Sequence, residues 1–175
     1  MSNTIGNIIA DSLSLGLGYA ERLRSDIPAA QFARFARNGD DVIVSNHPAF
    51  VYGHLSLYPA RIIEQLGEDA SAWSASEAFN AVFSKDATCK DDPDGSIYPA
   101  MEEIVTKFTS SYEAARDVLR AADDEKFHAT NPQGGRMQEL FPTLGSMHAF
   151  YAGGHFMIHM GQLSAWRRMI GLGAA

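Results

Sequence analysis

The chain contains a single cysteine, Cys89, which excludes an internal disulfide and any metal site built from several thiolates. It also has no apolar run of about 18 residues, so no segment is expected to cross a membrane. Asp and Glu (21) outnumber Lys and Arg (14), the formal net charge is −7, and no basic run exceeds Arg167-Arg168. Nucleic acid, itself a polyanion, is therefore not an expected partner. Residues 1–4 lack the positive charge that opens a secretory signal, which predicts a cytoplasmic protein.

The hydrophobic pattern predicts helices. A chain of 175 residues with 46% hydrophobic and 20% charged residues is typical of one globular domain spanning 1–175. Apolar residues recur with helical spacing over about 4–25, 45–66, 99–122 and 142–170, and Pro59 predicts a kink near 56–58. Ser45 or Asn46 is the expected N-cap of the second segment.

The segments between the predicted helices indicate how the helices are connected. Residues 38–41 (Asn-Gly-Asp-Asp) and 131–135 are expected to be a turn and a loop, and no segment has a convincing strand pattern. Residues 68–98 are too long for a tight turn, and they include a short helix after the capping box at 74–77 (Ser-Ala-Ser-Glu). The prediction is an all-α four-helix bundle with a long crossover between helices two and three.

The fourth predicted helix carries two histidines at a metal-binding spacing. His155 and His159 are four residues apart, so their imidazoles lie on one helix face and are placed to share a divalent ion. Gln162 and His148 fall on the same stripe. Phe156 stands where His-Glu-x-x-His metalloproteases have their general base, which excludes that mechanism. The competing interpretation is a pair of hydrogen-bonded core histidines, and a third ligand decides between the two.

The second predicted helix offers two candidates for that third ligand. His47 and His54 are seven residues apart and share a face, so spacing alone leaves both open. Three imidazoles around one ion leave a coordination position free and suit zinc, nickel, copper or iron. A di-iron carboxylate centre is disfavoured because the Glu-x-x-His pattern occurs once, at Glu125 and His128, in a polar stretch. No specific feature asks for a haem.

Two motifs resemble those of the DinB-like (damage-inducible) metal-binding four-helix bundles. Residues 46–55, Asn-His-Pro-Ala-Phe-Val-Tyr-Gly-His-Leu, resemble that family's Trp/Phe-x-x-Gly-His-Leu stretch, and residues 155–163 resemble its closing His-x-x-x-His-x-Gly-Gln-Leu motif. The resemblance implies one divalent ion, zinc, nickel or iron, held by His54, His155 and His159. His47 lies two turns earlier and is the reserve ligand, and its place at the start of the predicted helix favours a capping or supporting role. The resemblance also implies an up-down-down-up bundle and a homodimer.

The resemblance is less definite about the reaction. Characterised members include thiol-dependent S-transferases and isomerases, so the expected partner is a small-molecule substrate, with a low-molecular-weight thiol as co-substrate. The alternative is a non-catalytic metal- or ligand-binding protein of the stress response. No catalytic residue is identified. The hydroxyls of Tyr52, Tyr58 and Tyr151 are candidates to lie near the metal, although core packing is the default role of each.

Three further expectations concern the arginines, the cysteine and the release of the metal. Arg136, Arg167 and Arg168 are expected on the solvated surface, and Cys89 is expected to be an idle surface thiol. The metal is expected to leave below about pH 6, near the ordinary histidine pKa, because binding needs neutral imidazoles.

Overall fold

A computed structural model describes residues 3–175, and this part of the chain is mostly helical. Its α-helices are α1 (Thr4–Arg24), α2 (Pro48–Leu55), α3 (Pro59–Gln65), α4 (Glu77–Phe83), α5 (Met101–Ala121), α6 (Asp124–His128), α7 (Gly135–Leu140), α8 (Leu144–Ala149) and α9 (His155–Met169). A π-helix, Phe150–Gly154, joins α8 to α9. Two short strands, β1 (Ala36–Asn38) and β2 (Asp41–Ile43), and the 3₁₀ turns Ala29–Gln31 and Ser71–Trp73 complete the elements.

The long helices α1, α5 and α9 carry much of the core. On α5 the buried residues recur with helical spacing, acidic residues open the helix and Arg120 closes it, as the helix dipole favours. α5 packs against α1, α2 and α3, and α9 packs against α1 and α2. The hydrophobic cluster between them draws residues from every one of these helices. No helix of residues 3–175 combines the length and the apolar character needed to cross a bilayer.

The second predicted helix is divided, as Pro59 predicts. α2 ends at Leu55, and α3 begins at Pro59, whose missing N–H costs nothing in a first turn. The N-cap prediction was wrong: α2 is capped by His47, whose Nδ1 accepts the Phe50 N–H at 3.2 Å, and not by Ser45 or Asn46. The break leaves Tyr58 in the turn between the two helices, four residues after the candidate metal ligand His54 of α2.

The elements that the sequence pattern missed are all short. β1 and β2 pair antiparallel around a two-residue loop, in which Gly39 adopts a φ of 61° as the first loop position of such a hairpin requires. The prediction that the chain has no strand was therefore wrong. The capping box at 74–77 predicted Ser74 as the cap of α4, but the cap is Ser76. α7 begins at Gly135, at the end of the predicted 131–135 loop. Elements of three to six residues, such as β1, β2 and α7, are too short for the hydrophobic period of a strand or helix to be recognised.

The π-helix changes the register of the last helical segment. One continuous α-helix was predicted from about 142 to 170, with His148 and His155 on one stripe. The wide turn at residues 150–154 interrupts the 3.6-residue repeat, so the two histidines do not share a face. His148 lies against Gln65 of α3 and Phe127 of α6, whereas His155 faces α2.

Candidate metal centre

Three histidines from two helices converge, and they are the three that the family resemblance assigns. His54 comes from the last turn of α2, and His155 and His159 come from the first two turns of α9. One ring nitrogen of each lies within 4.8 Å of the other two, close enough to bind a single metal ion. His54 and His159 are buried and His155 is half-buried.

Hydrogen bonds on the outer edge of two rings fix which nitrogen faces inward. His54 Nδ1–H donates to the Phe83 carbonyl at 2.8 Å, and His159 Nδ1–H donates to Gln162 Oε1 at 2.9 Å. Because both acceptors are oxygens, Nδ1 carries the proton and Nε2 keeps its lone pair. Asn46 Nδ2 donates to the same Gln162 oxygen at 3.0 Å and so anchors it. Such outer hydrogen bonds are how proteins orient metal-binding imidazoles.

His155 completes the inner cluster. Its Nε2 lies 3.2 Å from Nε2 of His159, which has only a lone pair to offer, so His155 is the donor. Its Nδ1 is buried and has no hydrogen-bond partner within residues 3–175. The ring is thus held by packing against its neighbours and by a bond that a cation would replace.

Burial keeps the three imidazoles neutral. It lowers the pKa of His155 to about 3, helped by the charges that His159 and His54 would carry, and it lowers the pKa of His159 to about 4. The pKa of His54 is also lowered, again chiefly by burial. Neutral imidazole is the form that binds metal, so the cluster is in its ligating state near neutral pH.

Aromatic rings enclose the triad. Phe50 stacks on His54, with ring centroids 6.1 Å apart and planes within 3°. The Tyr58 ring lies 4.4 Å from His155, and its hydroxyl donates to His54 Nε2 at 3.2 Å. Burial raises the pKa of Tyr58, so this hydroxyl keeps its proton. The other two predicted tyrosines point their hydroxyls elsewhere: Tyr52 donates to the Ala20 carbonyl at 2.6 Å, and Tyr151 bonds to Gln133.

A surface cleft of about 430 Å³ opens beside the triad. His54 and His159 form part of its wall, together with Phe50, Lys85 and Cys89. Cys89 is half-buried in the wall of this cleft, and burial raises the pKa of its thiol to about 11. The thiol therefore stays protonated, and it contacts the Ser45 carbonyl at 3.7 Å. The cleft opens the His54–His159 side of the site to solvent.

The other histidines do not join the triad. His47 uses both ring nitrogens, because Nδ1 accepts from Phe50 N and Nε2–H donates to the Lys90 carbonyl at 2.8 Å. This is the capping role that its place at the start of the predicted helix favours. His148 is fully buried and donates to Gln65 Oε1 at 2.9 Å, away from the site. The remaining histidine, His128, is exposed on the short helix α6.

Of the arginines considered, one departs from its prediction. Arg136 and Arg168 are exposed, as predicted. Arg167 is buried and binds the Asp26 carboxylate and the Leu23 carbonyl, so the prediction of a solvated side chain was wrong there. It ties α9 to the end of α1.

Comparison of the chain with protein-family models, with curated proteins and with solved structures finds no match.

Proposed function

We propose that the chain holds one divalent metal ion, zinc, nickel or iron, on Nε2 of His54, His155 and His159. One observation supports this above all: the outer nitrogens of His54 and His159 donate to Phe83 and Gln162, which turns two lone pairs towards the third imidazole. These lone pairs now accept hydrogen bonds of 3.2 Å from the Tyr58 hydroxyl and from His155 Nε2–H, and an ion would take the place of both donors.

The spacing of the nitrogens agrees with this proposal. Nitrogens about 2.1 Å from a tetrahedral ion are separated by about 3.4 Å. His155 and His159 approach this value at 3.2 Å. With an ion on its Nε2, His155 would carry its proton on Nδ1, a buried atom without a partner, so packing alone would hold this ring. The nitrogen spacing and the orientation of the His54 and His159 rings fit a three-histidine ion site.

The same proposal extends to family and architecture. We propose that the chain is a DinB-like protein, in which α1, the α2–α3 segment, α5 and the α8–α9 segment form an up-down-down-up four-helix bundle with residues 66–100 as the crossover. The contacts of α5 with α1 and α2, and of α9 with α1 and α2, support this arrangement. A cytoplasmic homodimer is part of the proposal.

The function that this site supports best is that of a metal-dependent enzyme acting on a small molecule, of the thiol-dependent S-transferase class or a related hydrolase or isomerase. An ion with an open coordination position lowers the pKa of a bound water or thiol and polarises a bound electrophile. The protein would contribute the binding site for the substrate. The cleft beside His54 and His159 would admit it, and Phe50 forms an apolar part of the cleft wall. Gln162 and Asn46 hold the His159 ring in position. The alternative is a non-catalytic stress-response protein in which the ion ties α2 to α9.

Metal content tests the proposal. Tag-free protein is stripped with a chelator, dialysed against Zn²⁺, Ni²⁺ or Fe²⁺ under reducing, anaerobic conditions, and measured by elemental analysis. We expect about one ion per chain in the wild type and a loss of at least tenfold in affinity for each of three variants. These are His54→Ala, His155→Ala and His159→Ala.

The matched control is His47→Asn. Asparagine is a good N-cap residue, so this variant removes an imidazole and preserves the start of α2. It should bind metal as the wild type does. No bound metal in the wild type, or undiminished binding in His54→Ala, contradicts the three-histidine centre. Once the ion is established, the loaded protein is assayed for thiol transfer to small electrophiles, and an inactive but metal-replete protein favours the non-catalytic alternative.

A further inference from the structure

Tyr58 is the residue whose hydroxyl contacts the metal-facing nitrogen of His54, and its place follows from the helix break. Pro59 starts α3, and the Tyr58 N–H bonds to the Leu55 carbonyl at 3.2 Å, so the residue sits in a single tight turn after α2. This turn brings the ring back over the last turn of α2. The hydroxyl then lies 3.2 Å from Nε2 of His54, four residues earlier.

The rest of the ring is held from several sides. His155 and Tyr151 lie at centroid distances of 4.4 and 4.9 Å, and the Arg61 guanidinium lies 5.4 Å from the ring centroid. A ring packed in this way has little freedom to move. A phenol hydrogen, however, rotates about its C–O bond, so the donor can change its acceptor while the ring stays in place.

The hydrogen bond and the ion compete for one lone pair. The Tyr58 hydroxyl donates to His54 Nε2, which is the atom that the proposed ion needs. When the ion takes that lone pair, the hydroxyl loses its acceptor. Its oxygen is 3.2 Å from Nε2, close to the separation of about 3.4 Å between two ligand atoms on a tetrahedral ion. A ligand atom that took the open position beside His54 Nε2 would therefore lie within reach of this hydroxyl.

We propose that Tyr58 is the hydrogen-bond donor to the non-protein ligand of the metal centre, and that it selects for ligands that present an anionic or lone-pair-bearing atom. This inference rests on the proposed function. The structure places the neighbouring hydroxyls in other contacts: the Tyr52 hydroxyl donates to the Ala20 carbonyl, and the Tyr151 oxygen accepts from the Gln133 side-chain amide. Tyr58 thus gives the site a substrate preference: thiolates, carboxylates and hydroxamates over uncharged ligands of similar size.

Anion binding to the cobalt-loaded protein tests the inference without an activity assay. Co²⁺ is added to metal-free wild type, Tyr58→Phe and Tyr151→Phe, and the visible absorption bands report both the ion and its ligands. Azide is then titrated as the anionic probe. We expect Tyr58→Phe to bind Co²⁺ with near wild-type affinity and azide about tenfold more weakly, as the loss of one hydrogen bond to a charged group implies. Tyr151→Phe, the matched control from the same ring cluster, should bind both as the wild type does.

Three outcomes overturn the inference. Equal azide affinity in Tyr58→Phe and the wild type means that the hydroxyl does not touch the ligand. A loss of Co²⁺ affinity of tenfold or more, with altered absorption bands before azide is added, means that Tyr58 is itself a ligand. A wild type that binds no Co²⁺ overturns the proposed function as well. The circular dichroism of the three proteins should be the same, because a phenylalanine ring retains the packing against His155 and Tyr151.

Discussion

Gly53, the residue before His54, couples the packing of α2 to the geometry of the metal centre. A Cβ at this position would lie 2.5 Å from Phe83 Cζ and closer still to two other atoms of that ring. Ordinary contact begins near 3.4 Å, so the ring would have to retreat by about 1 Å in a fully buried position. The carbonyl of the same Phe83 accepts the His54 Nδ1–H. Gly53→Ala should therefore disturb both the core and the site.

The expected magnitude follows from two opposing effects. Alanine is favoured over glycine within a helix by about 1 kcal/mol. Overpacking of a rigid core costs typically 1–3 kcal/mol, and a buried ring that must move by about 1 Å lies at the upper end. We expect a net loss of about 2 kcal/mol in the free energy of unfolding of the metal-free protein. Displacement of the Phe83 carbonyl should also weaken zinc binding by about 10- to 100-fold.

Chemical denaturation of the metal-free protein and zinc competition with a chromophoric chelator measure these two quantities. Gly161→Ala is the matched control, because it makes the same change in α9 at an exposed position with nothing within 4 Å of the added Cβ. It should gain up to about 1 kcal/mol and keep its zinc affinity. Phe83→Leu in the Gly53→Ala background should reduce the cost of the alanine. Wild-type stability and wild-type zinc affinity in Gly53→Ala would refute the coupling.

Three further predictions concern the hydrogen bonds and the titration of histidines. Gln162→Leu removes the acceptor of the His159 Nδ1–H, so the zinc dissociation constant should rise by about 10- to 100-fold in the same chelator assay, with Gly161→Ala as the unaffected control. Burial lowers the pKa of all three ligand histidines, to about 3 for His155 and about 4 for His159, so zinc should be retained below the pH of about 6 at which ordinary histidines would release it. Dialysis at stepped pH measures the retained zinc, and loss near pH 6 contradicts the prediction. In the metal-free protein, burial lowers the pKa of His148 to about 4, so between about pH 6.5 and pH 4 the unfolded chain binds a proton that the folded chain does not, and the free energy of unfolding falls by about 3 kcal/mol. Urea melts should show the difference in the free energy of unfolding between the wild type and His148→Gln narrowing over that range. A parallel loss in both proteins contradicts the prediction.

The features that the sequence predicted well are those with many residues behind them. α1 and α5 each repeat their buried positions over 21 residues, so the helical period identified both. The His155–His159 pair needed only one helical turn to be recognised. Pro59 predicted the interruption between α2 and α3 because its ring cannot continue a helix. Each of these features depends on residues that are close together along the chain, so the sequence alone is enough to predict it.

The choice between His47 and His54 could not be made from spacing. Both lie on one face of the predicted helix, and the sequence does not show that the Lys90 carbonyl, 43 residues away, takes the second nitrogen of His47. The contact of His54 with Phe83 is equally distant along the chain. The role of Asn46 was missed for the same reason, since its partner is Gln162 of α9. Tyr58 was named among three tyrosines, and only the turn before Pro59 separates it from the others.

The number of residues between α8 and α9 determines where the paired histidines face. Each residue of an α-helix turns the chain by about 100°, and the wide turn at Phe150–Gly154 shifts the rotational phase of everything after it. Deleting a single residue there would restore an uninterrupted repeat and rotate His155 and His159 away from His54, although every ligand would still be present. This segment should therefore tolerate substitution far better than a change in its length, and natural variants that bind metal should conserve that length.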